Sequence, residues 1–294
     1  MILERETFTG NETKNTQQKN FKSPKQRTSA PKRNRRSTSP GAAAQPPIIV
    51  HCHLCWDWVW QRPQQFISRL SRRHKILFVE TLAPDPLLSS PLARFRSPEQ
   101  FPNITILQIQ FPLWRWNDGK YVDRTRRKLV QDFVQGPGAG QFEKPIQWFY
   151  DPMTVTAFAG QMGEVLTVYD CMDELSQFRG APPDMTAREE QLLGVADVVF
   201  TGGRKLYESK RESNPNCHFY GCGVEVDHFG KALAAETNVP DDLARLPKPI
   251  LGYFGVVDER MDYELIRELA RANPHWSVAM IGPSLKVAAA ALPQ

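Results

Sequence analysis

From residue 47 to residue 283 the chain repeats one pattern. A short apolar run is followed by a polar, glycine- or proline-containing break, and then by a stretch with apolar residues at helical spacing. Strands that alternate with helices build a parallel sheet covered by helices, so this repeat narrows the fold to the α/β class before any single motif is considered. PPIIVHC, KILFVE (75–80), ITILQIQ (104–110), PIQWFYD (145–151), the start of LTVYDCMDEL (166–175) and DVVFTGG read as strands. Pro63 suits the first turn of a helix whose stripe is Phe66, Ile67 and Leu70. VDRTRRKLVQDFVQ (122–135), TAREEQLLGVA and RKLYESKRE read as further helices, the second with Glu189 and Glu190 early, where the helix dipole favours them. CHFYGCGVEVDHF reads as a last strand and a glycine turn.

The pattern then breaks. KALAAETNVPDDLARLPKP, 231–249, is polar and proline-punctuated, and ILGYFG restarts the alternation. Asp262 is placed to cap a helix with the stripe Leu265, Ile266, Leu269 and Ala270, and WSVAMIG is the next strand. With 294 residues the chain is long enough for two domains. The reading is a tail over 1–46, a first domain over 47–232, a linker over 233–248 and the opening βαβ unit of a second domain over 249–294. The Gly252-x-x-Gly255 turn is expected to allow close backbone approach and to point amides at an anion, with Arg260 adding a charge-assisted contact or remaining a solvated loop residue.

Charge is unevenly spread. Residues 1–46 carry ten Lys/Arg and three Glu, whereas the remainder is slightly acidic. The tail has too few apolar residues to offset its ordering entropy and is expected to be disordered. It is either a solvated tail or a contact for phosphate, on nucleic acid or on an anionic membrane. The folded part shows no basic patch with interleaved aromatics, so no specific nucleic-acid partner is expected. No segment reaches the apolar length of a membrane span and no signal-peptide pattern opens the chain, which places it in the cytoplasm or at the inner membrane face.

HCHLCWDWVWQRPQQF, 51–66, is the densest chemical stretch. Cys52 and Cys55 form a C-x-x-C, but the second soft pair that structural zinc needs does not follow at a matching spacing. The apolar residues running into Cys52 make it a small buried residue at a strand end. No metal is assigned. The tryptophans after it either pack against sugar rings or cover the sheet. Asp57, Gln61 and Arg62 suit hydroxyls and phosphates beyond a strand's carboxyl end.

WDWVWQRPQQ, VYDCMDELSQF, ADVVFTGGRKLYESK, YGCGVEVDHF and LGYFGVVDERMDYELI…WSVAMIGP, in this order across about 47–283, resemble the nucleotide-sugar-dependent glycosyltransferases of the GT-B fold. The nearest likeness is to the bacterial family-four, group-one type, including TuaH-like teichuronic acid glycosyltransferases. The resemblance implies a Rossmann-like acceptor domain and a Rossmann-like donor domain. It also implies a nucleotide-sugar donor, a saccharide or lipid-linked acceptor, no cofactor, no obligatory metal and retention at the anomeric carbon. Trp56, Asp57, Gln61, Arg62 and Pro63 match its first-loop motif. Tyr169, Asp170, Asp173 and Glu174 match the motif after a later strand. Gly202, Gly203 and Lys210 match the following turn and helix, and Gly223, Val224, Asp227 and Phe229 the turn closing the domain. Gly255 and Arg260 match the donor-phosphate position. Asp57 and Asp173 are the candidate catalytic carboxylates; Trp56, Trp58, Gln61, Arg62 and Asp170 are the candidate cleft contacts. Asp170 and Asp173 also fit a capping and turn role. Arg62→Ala is expected to lower activity with little loss of fold. The family's glutamate-rich donor motif is missing before SLKVAAAALPQ, which reads as truncation and leaves a non-catalytic sugar- or nucleotide-binding module as the alternative to a transferase.

Overall fold

A computed structural model describes residues 45–284. The expected tail lies outside these residues except for its last two positions. The chain divides into two compact units, meeting at Cys222/Gly223.

In the first unit the strands are β1 (Ile48–Cys52), β2 (Ile76–Thr81), β3 (Leu92–Arg96), β4 (Ile104–Gln110), β5 (Ile146–Phe149), β6 (Leu166–Cys171), β7 (Val198–Thr201) and β8 (Cys217–Phe219). They form one sheet in the order β3-β4-β2-β1-β5-β6-β7-β8. Every neighbouring pair is parallel except β3 with β4. β1, β2 and β4 therefore run outward in one direction, and the chain then returns to the other side of β1 to lay down β5 to β8, as in a doubly wound Rossmann-like sheet. All five residues of β1 are buried, as a strand covered on both faces requires.

Period two along the strands divides the core. Ile48, Val50, Ile76, Phe78, Ile104 and Ile106 face α1 (Arg62–Leu70) through Ile67. Ile49, Leu77, Val79, Leu107, Ile109 and Phe149 face α2 (Gly119–Gln135), α3 (Val155–Phe158) and α4 (Met185–Val195). Pro63 stands in the first turn of α1, as its fixed φ favours. α5 (Arg204–Lys210) follows β7.

Two local expectations are corrected, and one strand is new. α2 begins at Gly119, because the Asp118 carboxylate accepts the Tyr121 amide at 3.0 Å and caps the helix there. Glu189 and Glu190 are not in the first turn of α4; Glu189 lies mid-helix and buried, held by Tyr169 Oη and Lys210 Nζ, each at 2.7 Å. β3 has no counterpart in the sequence reading. Its LARFR pattern is short and charged, which suits an edge strand.

The second unit contains α6 (Val226–Phe229), α7 (Asp241–Ala244), β9 (Ile250–Phe254), α8 (Tyr263–Ala272) and β10 (Ser277–Ile281). β9 and β10 pair in parallel around α8, one right-size βαβ unit. Asp262 caps α8 as expected, its carboxylate accepting the Leu265 amide at 2.9 Å. Gly255 and Gly282 follow the two strands with φ of 148° and 145°. A Cβ at Gly282 would stand 1.8 Å from the Gly255 carbonyl oxygen, so this pair of backbones admits no side chain there.

Candidate active site at the carboxyl edge of the sheet

The direction in which strands are added reverses between β1 and β5, and open α/β sheets bind ligands outside the carboxyl ends of the strands at such a switch point. Three contacts tie the two strand ends together there. The Tyr150 and Asp151 amides both donate to the His51 carbonyl, at 2.8 and 3.2 Å, and the ring of His53 meets the Tyr150 carbonyl through Nδ1 at 3.1 Å. Asp151 accepts the Met153 amide at 3.0 Å and starts the turn that leads into α3.

The loop after β1 carries most of the residues singled out by sequence, and the structure separates them. Trp56 is buried, with its ring edge-on to Phe78 and Phe101 at 5.2 and 5.7 Å, and its amide donates to Glu80 at 2.6 Å. Its ring is a core contact with no open face for a sugar, a correction to its place among the cleft contacts. Trp60 leans on Phe101 at 5.8 Å, while Trp58 remains 38% exposed. Asp57 is exposed and pairs with Arg96 on β3. Gln61 is the N-cap of α1, and its amide is held by Gln64 Oε1 at 3.1 Å. Gln64 also donates to the Cys55 carbonyl at 3.1 Å, so α1 and the loop are stitched together by a buried side chain.

Arg62 and Asp170 are brought together, but beneath the surface. Arg62 Nε donates to Asp170 Oδ1 at 2.8 Å, with side-chain exposures of 4% and 1%, and Nη1 donates to the Tyr220 carbonyl at 2.7 Å. Burial raises the Asp170 carboxyl above the ordinary range, and the Arg62 guanidinium opposes that shift. The expectation that Arg62→Ala leaves the fold intact is therefore corrected, because it would strand a buried carboxylate. Asp173 lies half-buried in the loop after β6. Its neighbour Glu174 is tied down by Lys210, which bridges Glu174 at 2.8 Å and Glu189 at 2.7 Å.

In the second unit the amides expected to face an anion are already engaged. The Gly255 amide donates to Ile281 at 2.9 Å and the Val257 amide to Pro283 at 2.9 Å, because the parallel ladder continues past the strand ends. Arg260 grips Asp258 through Nε at 2.9 and 3.0 Å and Nη2 at 2.7 Å. Among the described residues no cluster of three or more His, Cys, Asp or Glu side chains is arranged to hold a metal. No helix among them is long and apolar enough to cross a membrane.

No protein-family model and no curated protein matches the sequence. Solved structures do. E. coli trehalose-6-phosphate synthase bound with UDP-2-fluoro-glucose aligns with a TM-score of 0.54 at 14% identity, over 82% of this chain and 65% of its own. A UDP-forming α,α-trehalose-phosphate synthase from Burkholderia xenovorans aligns with a TM-score of 0.54 at 13% identity, over 81% and 64%. The fold is of the GT-B type. The chain spans about 65% of the length of the first of these structures. At such identity the likeness establishes architecture and leaves the finer family-four and TuaH-like resemblance without support from it.

Two side chains beside the switch point, His53 and Asp151, carry no motif that singles them out in the sequence. Strand order would have singled out both, since they follow β1 and β5, but order across a sheet is not written in the spacing of apolar residues.

Proposed function

We propose that the protein takes part in glycosyl transfer from a nucleotide-sugar donor to a saccharide acceptor, with the acceptor held at the β1/β5 crevice of the first unit. The observation that carries this reading is the shared GT-B architecture with UDP-forming synthases, one of them bound with a UDP-sugar analogue. In such a transfer the acceptor oxygen forms a bond to the anomeric carbon as the bond from that carbon to the diphosphate breaks. Charge builds on the departing phosphate oxygens while the sugar passes through an oxocarbenium-like state. Fixed donors and cations near the leaving group do most of the work, so no metal is required by the chemistry.

In this reading Asp173, half-buried beside the Lys210-anchored Glu174, orients the acceptor hydroxyl and takes up its proton. The same reading gives Trp58, Gln61 and Asp57 contacts to the acceptor. The Arg62–Asp170 pair sets the position of α1 and acts as a positioning element. Gly255 gives the donor close access to the backbone, and Arg260 exchanges its Asp258 contact for a phosphate oxygen. Retention at the anomeric carbon and a family-four, cell-envelope acceptor belong to the same proposal and rest on the sequence resemblance.

The test is release of nucleoside diphosphate from a panel of UDP-, GDP- and ADP-sugars, with and without sugar acceptors. Acceptor-dependent release supports the proposal. Saturable binding of a nucleotide sugar with no release under any acceptor supports a binding module instead.

A further inference from the structure

Arg126 lies on α2 and is only 6% exposed, yet it makes no hydrogen bond or ion pair among the described residues. Its Nε–H is sealed from solvent and without a partner. The two carboxylates that face it electrostatically are occupied elsewhere. Asp123, three residues earlier on the same helix, accepts Arg188 Nη1 at 2.9 Å, and Asp151 accepts the Met153 amide. What holds the guanidinium is aromatic, with the Phe111 and Trp116 ring centroids both 5.8 Å away. Rings of this kind steer a cation but leave its N–H donors unsatisfied. Burial lowers the Arg126 pKa, the direction expected when a charge lacks a partner.

A buried, unpaired guanidinium is costly, and a chain seeking only stability would place an apolar residue there. The position supplies a reason for keeping it. Phe111 and Trp116 follow β4, Asp151 follows β5, and β4 and β5 stand on opposite sides of the β2–β1 pair at the carboxyl edge of the sheet. Arg188, on α4, is a second cation beside it. A guanidinium is a rigid fork of donors that fits the paired oxygens of a phosphate or a carboxylate.

We propose that Arg126 anchors the oxyanion of an acidic sugar, a phosphate monoester or a uronate carboxylate, at the rim of the β1/β5 crevice. Assigning that sugar as the acceptor rests on the glycosyl-transfer reading; the anion site itself does not. Asp151 sets the selectivity, since its negative charge disfavours loosely held anions and demands direct contact with the arginine fork.

The experiment is calorimetric titration of the full chain at low ionic strength with glucose 6-phosphate, glucuronate, neutral glucose and UDP. At least one acidic sugar is expected to bind at least tenfold more tightly than glucose. Arg126→Met is expected to lose that preference while melting at the same or a higher temperature, because methionine fills the space between Phe111 and Trp116 without a charge. Arg126→Lys, which keeps the charge and loses the fork, should recover part of the binding. If Arg126→Met does not fold, the Arg126 Nε–H resonance of the wild-type chain, assigned by its absence from Arg126→Lys, must shift when the acidic sugar is added. The proposal is overturned if neither acidic sugar binds better than glucose, if binding survives Arg126→Met, or if that resonance does not move. Arg126-dependent binding of UDP alone overturns the assignment to an acidic sugar. Arg126-dependent binding of an acidic sugar with no nucleotide-sugar turnover sinks the transfer reading and leaves the anion site standing.

Discussion

At the scale of single residues, His51 shows how the central strand constrains pH behaviour. Its ring is fully buried between Phe149 and Phe158, with centroids 4.8 and 4.0 Å away, and Nε2 meets Gln147 Oε1 at 2.5 Å. Burial pushes its pKa down to about 4. The unfolded chain takes up a proton near pH 6.5 and the folded chain only near 4. The stabilising effect of a neutral His51 is therefore complete above pH 6.5 and is lost as the pH falls toward 4, amounting to about 3 kcal/mol over that window. Denaturant unfolding at pH 7 and pH 4.5 should show this loss in the wild type and a shallower one in His51→Phe; equal losses would refute it. The Arg62–Asp170 pair gives a second expectation. Arg62→Met should cost roughly 3–5 kcal/mol by leaving Asp170 buried without its cation, and Arg62→Met with Asp170→Leu should recover much of that. Neither residue betrays this in sequence. Both stand among polar neighbours in motifs that read as a ligand surface, and only the folded register of α1 against β6 shows them facing each other. The strand end at Cys52, by contrast, was legible, because an apolar run stops there whatever the partners are.

At the scale of elements, the helices and strands that carry apolar periodicity were readable, and those shaped by one polar contact were not. β1, β2, β4 and β9 fall where the apolar runs place them. The start of α2, the mid-helix place of Glu189 and the edge strand β3 depend on capping, on a buried amine and on sheet order. Lys210 is the clearest case, since it joins α5 to α4 through Glu189 and to the loop after β6 through Glu174. Lys210→Met is expected to destabilise the chain by about 3 kcal/mol. It should also speed amide exchange in 172–177 more than in β1; uniform exchange across both would show that the bridge does not position the loop. In the second unit, Gly282→Ala should prevent β10 from closing on β9, since the new methyl meets the Gly255 carbonyl.

At the scale of the whole molecule, the chain divides into two compact units at Cys222/Gly223, whereas the composition changes at 231–249. Nearly every residue from His218 to Pro249 is exposed. Brief trypsin digestion should therefore cut, among sites after residue 46, first at Lys231 or Arg245, and leave a fragment containing the eight-stranded sheet. Earlier cleavage inside α2 or α4 would contradict that division. The strand order has another outcome, which concerns synthesis. The ribosome releases β1, β2, β3 and β4 first, and they already form a contiguous half-sheet, while one flank of β1 waits for Ile146–Phe149 to emerge. For nearly a hundred residues of elongation a strand that ends up fully buried has an open side. A nascent chain stalled near residue 140 would present that flank to any passing strand, so the rate of translation through α2 bears directly on how much of the product reaches its native pairing.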